Sequence, residues 1–333
     1  MNRRVALCSL LIGSAGLLGW SAPIAAQTLE KVTLRLNFYS YGEHAAFAYG
    51  LEKRIYAEEG IDLTILEGGG SGATVQSIGA ATDRFGYADA TTMAKLISKG
   101  LPVKMIANYV QTSPMSIISF ADKGIKAPKD LEGKKVSFTA GDSLHQNFPA
   151  LIKINGVDKA KVQEVLLVPQ AKQTAVMTGT VDAMGGYFTT QAGAIERETK
   201  KKVAYFRYAD FGVNAMTQGL LIHTKYLGDK ALNCKMVRAT SRAWQAAMKD
   251  PDGAVEALHK VFPNTNKGAK DLTKQQWLDS ADLLYTKNSK GKTPGLMLKE
   301  DWDILLSLAK EYGGLEPVKA HADYYTNEFF DCK

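Results

Sequence analysis

Across 333 residues the chain carries 41 lysines and arginines against 34 aspartates and glutamates, a formal charge of +7, with 45% hydrophobic residues and five histidines. The lysines are scattered, with only Lys134-Lys135 and Lys200-Lys201-Lys202 in runs, and no basic stripe interleaves with aromatics, which argues against nucleic acid as a partner. The length exceeds one ordinary hydrophobic core and predicts two lobes.

The chain opens with Arg3 and Arg4, an apolar run from Val5 to Trp20, and Ile24-Ala25-Ala26 ahead of Gln27. That is the order of an export signal, with cleavage expected after Ala26. The run is interrupted by Gly13, Gly16 and Gly19 and falls short of the roughly 20 residues of a bilayer span, so the mature protein is expected in the periplasm. Cys8 falls within the leader. Cys234 and Cys332 remain, an even number in an oxidising compartment, and a disulfide between them is expected.

In chain order, Val32 to Phe38 alternates as a first strand and breaks at the aromatic turn Phe38-Tyr39-Ser40-Tyr41-Gly42. A single amphipathic helix is expected over Glu43 to Glu59, closed by Gly60. The strand Ile61 to Leu66 runs into Glu67-Gly68-Gly69-Gly70-Ser71-Gly72-Ala73-Thr74, and a helix follows. This turn would leave the first helical N–H groups reachable for a small polar or anionic group, or would be an ordinary flexible loop. Strand Phe85 to Asp89, a helix from Thr91 and strand Val103 to Val110 complete an α/β unit. From Pro114 the rhythm repeats: strands at Met115–Phe120, Val136–Ala140, Val162–Val168, Ala183–Phe188 and Val203–Phe206, with Asp142 or Ser143 capping a helix through Ile154. Asp83-Arg84-Phe85-Gly86-Tyr87 and Asp182-Ala183-Met184-Gly185-Gly186-Tyr187 match locally, which predicts two lobes built alike. After strand Met216–Ile222 the pattern is wholly helical, with prolines between the helices, and this tail is expected to return and pack on the first lobe.

Catalytic motifs are sparse. Gly68, Gly70 and Ala73, with Asp89 further on, satisfy the dinucleotide fingerprint locally, but the unit stands second in its lobe and an exported protein has little access to nicotinamide cofactors. No cofactor is expected. A phosphate-binding loop would need lysine where Ala73 and Thr74 stand, and the nucleophile elbow fails at Ala73. His44, His145, His223, His259 and His321 are widely spaced, so no metal site is expected.

The ordered set NFYSYGEHAAF, AEEGIDLTIL, EGGGSG and DRFGYADATTMAKLISKGLPVKMIA resembles the periplasmic substrate-binding proteins of ABC importers. The branch it resembles holds the nitrate, sulfonate and taurine binders and the relatives of the thiamine-pyrimidine synthases. The resemblance implies an α/β type II periplasmic-binding-protein clamp with a helical C-terminal segment, lobe one being residues 28–113 and 217–333 and lobe two 114–216. It further implies a monomer that holds a small molecule in the inter-lobe cleft and hands it to a membrane permease. Carried over residue by residue, the contacts are Phe38, Tyr39, Tyr41, Glu43 and His44; Gly70, Ser71 and Gly72; Asp89 and Ala90; Asn108 and Tyr109; Asp142 and Ser143; and Tyr187. Phe38 stands where the pyrimidine branch has tryptophan, and the CCCFC segment of its synthesising members is absent. The ligand stays open between a thiamine-pyrimidine precursor or related heteroaromatic and a sulfonate- or nitrate-type anion. The alternative is an exported enzyme on the same scaffold with His44 and Glu43 as acid and base.

Overall fold

The computed structural model describes residues 28–140 and 142–332; the expected leader, 1–26, lies outside them. Its strands are β1 Glu30–Arg35, β2 Ile61–Leu66, β3 Phe85–Asp89, β4 Val103–Asn108, β5 Met115–Phe120, β6 Lys135–Phe138, β7 Gln163–Leu166, β8 Ala183–Tyr187, β9 Val203–Arg207 and β10 Gln218–His223. They form two five-stranded sheets, ordered β2-β1-β3-β10-β4 and β7-β6-β8-β5-β9. In the first, β1 runs parallel to β2 and β3 while β10 is antiparallel to β3 and β4. In the second, β6 runs parallel to β7 and β8 while β5 is antiparallel to β8 and β9. The two topologies therefore coincide strand for strand.

The burial pattern follows from position in the sheet. Every residue of β3 and of β5 is buried, as expected of inner strands covered on both faces. The edge strand β2 alternates, with Ile61, Leu63 and Ile65 inward and Asp62 and Thr64 outward. The chain leaves the first sheet at the carboxyl end of β4 and returns to it after β9. Both crossings are short, so the carboxyl edges of the parallel strands in the two sheets face each other, where open α/β sheets bind ligands.

One expectation is corrected and another is extended. The helix expected over Glu43–Glu59 is three pieces, a 3₁₀ turn Gly42–His44 and helices Ala45–Glu52 and Ile55–Glu58. Arg54 adopts a left-handed φ of 58° between the last two, a conformation that arginine does not advertise in sequence. The tail does pack on the first sheet's side through helices Lys230–Lys249 and Pro251–Val261, which cover Ala45–Glu52. Helix Lys270–Ala281, however, also packs on the turn Phe188–Ala192, and helix Lys299–Glu311 on helix Ser143–Ile154, so the tail touches both halves. Isolated bridges from Gly295 and Tyr325 to Asn108 and Met105 cover the edge strand β4. Cys234 is bonded to Cys332, with Cα atoms 6.0 Å apart, which ties the chain's end to helix Lys230–Lys249. Among the described residues no helix is long and apolar enough to cross a membrane.

Candidate functional site

The turn after β1 lies at the carboxyl edge of the first sheet. Glu43, on the 3₁₀ turn, is wholly buried. Its Oε1 accepts from the hydroxyls of Tyr41 and Tyr87, each at 3.0 Å, while Oε2 is buried without a partner. Burial raises its carboxyl from the ordinary 4.5 to about 7, against the opposing pull of the two tyrosines. Behind it stands a fixed relay. The backbone N–H of Tyr41 donates to His44 Nδ1 at 3.3 Å, so the ring proton sits on Nε2 and goes to Asn37 Oδ1 at 2.7 Å. Asn37 Nδ2 in turn donates to the Tyr41 hydroxyl at 3.2 Å. Burial lowers His44 from 6.5 to about 3. Both ring nitrogens are thus engaged and the ring is held neutral.

Asp89 closes β3 and caps helix Ala90–Ser98, its Oδ1 accepting from Thr92 N at 2.7 Å. Its Oδ2 is buried without a partner, and burial raises its carboxyl above the usual aspartate range. The glycine turn abuts it: Ser71 Oγ accepts from Asp89 N at 3.1 Å. The glycines differ in their surroundings. A Cβ at Gly68 would lie 1.9 Å from the Leu36 carbonyl oxygen, Gly70 holds φ +119°, and a Cβ at Gly72 would meet open space. Gly68 thus lets the turn approach β1, and Gly72 leaves room beside the first turn of helix Ser71–Gly79.

From the second half, Tyr187 ends β8 as Asp89 ends β3. Its hydroxyl pairs with Ser143 Oγ at 3.1 Å. Burial pushes that phenol up, with the charges of Asp89, Asp142 and Glu43 adding to it, so Tyr187 lies within electrostatic reach of the carboxylates of the first half. Asp142 caps helix Ser143–Ile154 through His145 N at 2.7 Å and is held by Lys172 Nζ at 3.0 Å. Lys172, 5% exposed, also donates to the Gly185 carbonyl at 3.1 Å, so this buried cation is already committed.

These residues lie on a chain whose positions 42–254 match a family model described as NMT1/THI5 like. The chain belongs to the NMT1/THI5-like family. The formylaminopyrimidine-binding protein of Halalkalibacterium halodurans is 23% identical to it over 300 residues, 88% of this chain and 89% of the relative. The riboflavin-binding protein RibY of Chloroflexus aurantiacus is 24% identical over 323 residues, 92% and 88% of the two chains. The 4-amino-5-hydroxymethyl-2-methylpyrimidine phosphate synthase of Legionella pneumophila is 25% identical over 167 residues, 50% and 52%. Among solved structures, the periplasmic aliphatic sulphonate binding protein SsuA from Escherichia coli superposes with a TM-score of 0.66 over 84% of this chain and 86% of its own, at 16% identity. The fold is that of the periplasmic binding proteins.

In this NMT1/THI5-like chain the structure gathers Tyr41, Glu43, Asp89, Asp142, Ser143 and Tyr187 at the facing sheet edges. Phe38 and Tyr39 are 38% and 58% exposed, edge to face with ring centroids 5.1 Å apart. One expected contact is corrected. Tyr109 is a core residue: its ring stacks on Trp244 at 5.5 Å and its hydroxyl meets Ser241 at 3.2 Å. Ala90 gives its N–H to the Thr217 carbonyl at 2.9 Å. Asn108 keeps an unpartnered Oδ1 and donates through Nδ2 to Thr217 O at 3.1 Å. Sequence reasoning missed Asn37, Tyr87, Lys172 and Gln218, whose Oε1 is also buried without a partner. Tyr87 was within the local repeat that the sequence displays; the others carry no motif, since only β10's insertion beside β3 brings Gln218 opposite Asp89.

Proposed function

We propose that this protein is an exported solute receptor that closes residues 28–113 with 217–333 and residues 114–216 on a small, flat, amino-bearing organic molecule and delivers it to an ABC-type permease. The observation that carries the reading is the set of buried acceptors without partners at the facing sheet edges, foremost Glu43 Oε2 and Asp89 Oδ2. Buried polar atoms are nearly always satisfied, and carboxylates of this kind accept from N–H donors. A sulfonate or nitrate offers only acceptors and, where Glu43 and Asp89 are ionised, would meet two carboxylates, while the buried Lys172 is already spent on Asp142 and Gly185. The aromatic residues Tyr41, Tyr87 and Tyr187 suit a flat ring. The names of the formylaminopyrimidine- and riboflavin-binding relatives point to nitrogen heterocycles as well.

A thermal-shift panel of aminopyrimidines, flavins and alkanesulfonates tests this reading. A heterocycle with N–H donors at 100 times its Kd should stabilise the protein by about 2.7 kcal/mol. Stabilisation by sulfonates alone would overturn the ligand class. Mass spectrometry of ligand released on denaturation separates a receptor, which returns its ligand unchanged, from an enzyme, which does not.

A further inference from the structure

A cavity of about 240 Å³ lies between the turn Phe188–Ala192, helix Gly193–Thr199 and β9 on one side and helix Lys270–Ala281 on the other. Its walls include Phe188, Thr189, Glu196, Tyr205, Gln275 and Asp279 and contain no lysine or arginine, in a chain of net charge +7. The Phe188 and Tyr205 rings stack at 5.0 Å with planes 13° apart, and Tyr205, 45% exposed, reaches the lip. The half-buried Asp279 receives one hydrogen bond, from Gln275 Nε2 at 2.9 Å. Burial raises its carboxyl, as does the nearby charge of Asp282, and no basic group opposes them. Thr189 contributes a hydroxyl buried without a partner.

We propose that this cavity binds a compact organic cation of the methylated-ammonium type, with Asp279 as counter-ion and the Phe188–Tyr205 pair as its apolar wall. The chemistry follows from the walls. Aromatic rings attract cations by their quadrupole, and weakly hydrated quaternary ammoniums are the cations such walls recognise. A divalent metal needs six or more oxygens at about 2.3–2.6 Å, which two carboxylates beside two aromatic rings do not supply. The volume lies below the roughly 300–1,000 Å³ of pockets for drug-sized ligands, so the occupant is small. Because the walls come from both halves of the molecule, an occupant would bridge them.

Titration of the full chain with tetramethylammonium chloride, followed by calorimetry or NMR, tests the proposal independently of any cleft ligand, since Glu43, Asp89 and Tyr187 are not among the walls. Saturable one-to-one binding is expected. Asp279→Asn should weaken it by at least about tenfold and Tyr205→Leu by about twofold to fivefold. Glu300→Gln, an exposed acid on helix Lys299–Glu311, should leave it unchanged. Wild-type circular dichroism and melting midpoints in the variants verify folding. Equal affinity in both cavity variants, equal competition by potassium chloride, or no saturable binding in the millimolar range would overturn the proposal.

Discussion

Glu43 and His44 are adjacent, both buried, and displaced in ways that set opposite pH dependences on folding. Glu43 titrates near 7 when folded and near 4.5 when unfolded. The folded state therefore keeps a proton that the unfolded state releases, and stability falls as pH rises through that window. His44 titrates near 3 folded and 6.5 unfolded. There the unfolded state takes up a proton that the folded state refuses, so stability falls as pH drops below 6.5. Between about 4.5 and 6.5 the two slopes oppose each other. Glu43→Gln removes the first and should unmask the second: urea melts of the variant should lose about 1.4 kcal/mol per pH unit on acidification across that range, while the wild type loses much less. Parallel profiles would show that Glu43 is not held near neutrality. Tyr187→Phe, which keeps the ring and removes the hydroxyl paired with Ser143, should weaken cleft-ligand binding by about tenfold in calorimetry with little change in the melt.

The glycine turn separates fold from function within one element. Gly68→Ala places a Cβ against the Leu36 carbonyl and should cost a few kcal/mol of stability, about the 1–3 typical of overpacking. Gly72→Val fills open space; it should leave the denaturant midpoint nearly unchanged and abolish ligand binding. Wild-type affinity in Gly72→Val would return the turn to an ordinary loop. At this scale much was legible in the sequence. Strand-like runs placed β2 at Ile61–Leu66 and β5 at Met115–Phe120, where the structure has them: in β2 the period-2 burial is written directly in the residues, and in β5 a short continuous apolar run marks a strand buried on both faces. The left-handed Arg54 and the π-helical turn Phe188–Ala192 were not legible, since neither is set by a local residue preference. The aromatic turn was read as a contact loop, yet Tyr109 was read the same way and belongs to the core, because its partners Ser241 and Trp244 lie over a hundred residues further along the chain.

At the scale of the whole molecule, the tail acts as a strap. Gln276, on helix Lys270–Ala281, accepts from Gly42 N at 3.0 Å beside Glu43 and reaches the Thr190 carbonyl at 3.4 Å in the turn that follows Tyr187. Gln276→Ala should therefore weaken ligand binding without contact to the ligand. The Cys234–Cys332 bond closes a loop with a sequence separation of 98. Replacing both cysteines by alanine should lower stability by up to about 4.7 kcal/mol on chain-entropy grounds, measured by urea unfolding with and without reductant. In the proposed receptor, buried carboxylates of the cleft bind the N–H groups of a heterocycle. Calorimetric titration of wild type and Asp89→Asn with 4-amino-5-hydroxymethyl-2-methylpyrimidine addresses this most directly. One-to-one binding of about micromolar strength, roughly 8.2 kcal/mol, is expected, weakened at least about tenfold in the variant; equal affinity in the two proteins, or no binding of the pyrimidine beside tight binding of an alkanesulfonate, would overturn this role of the carboxylates.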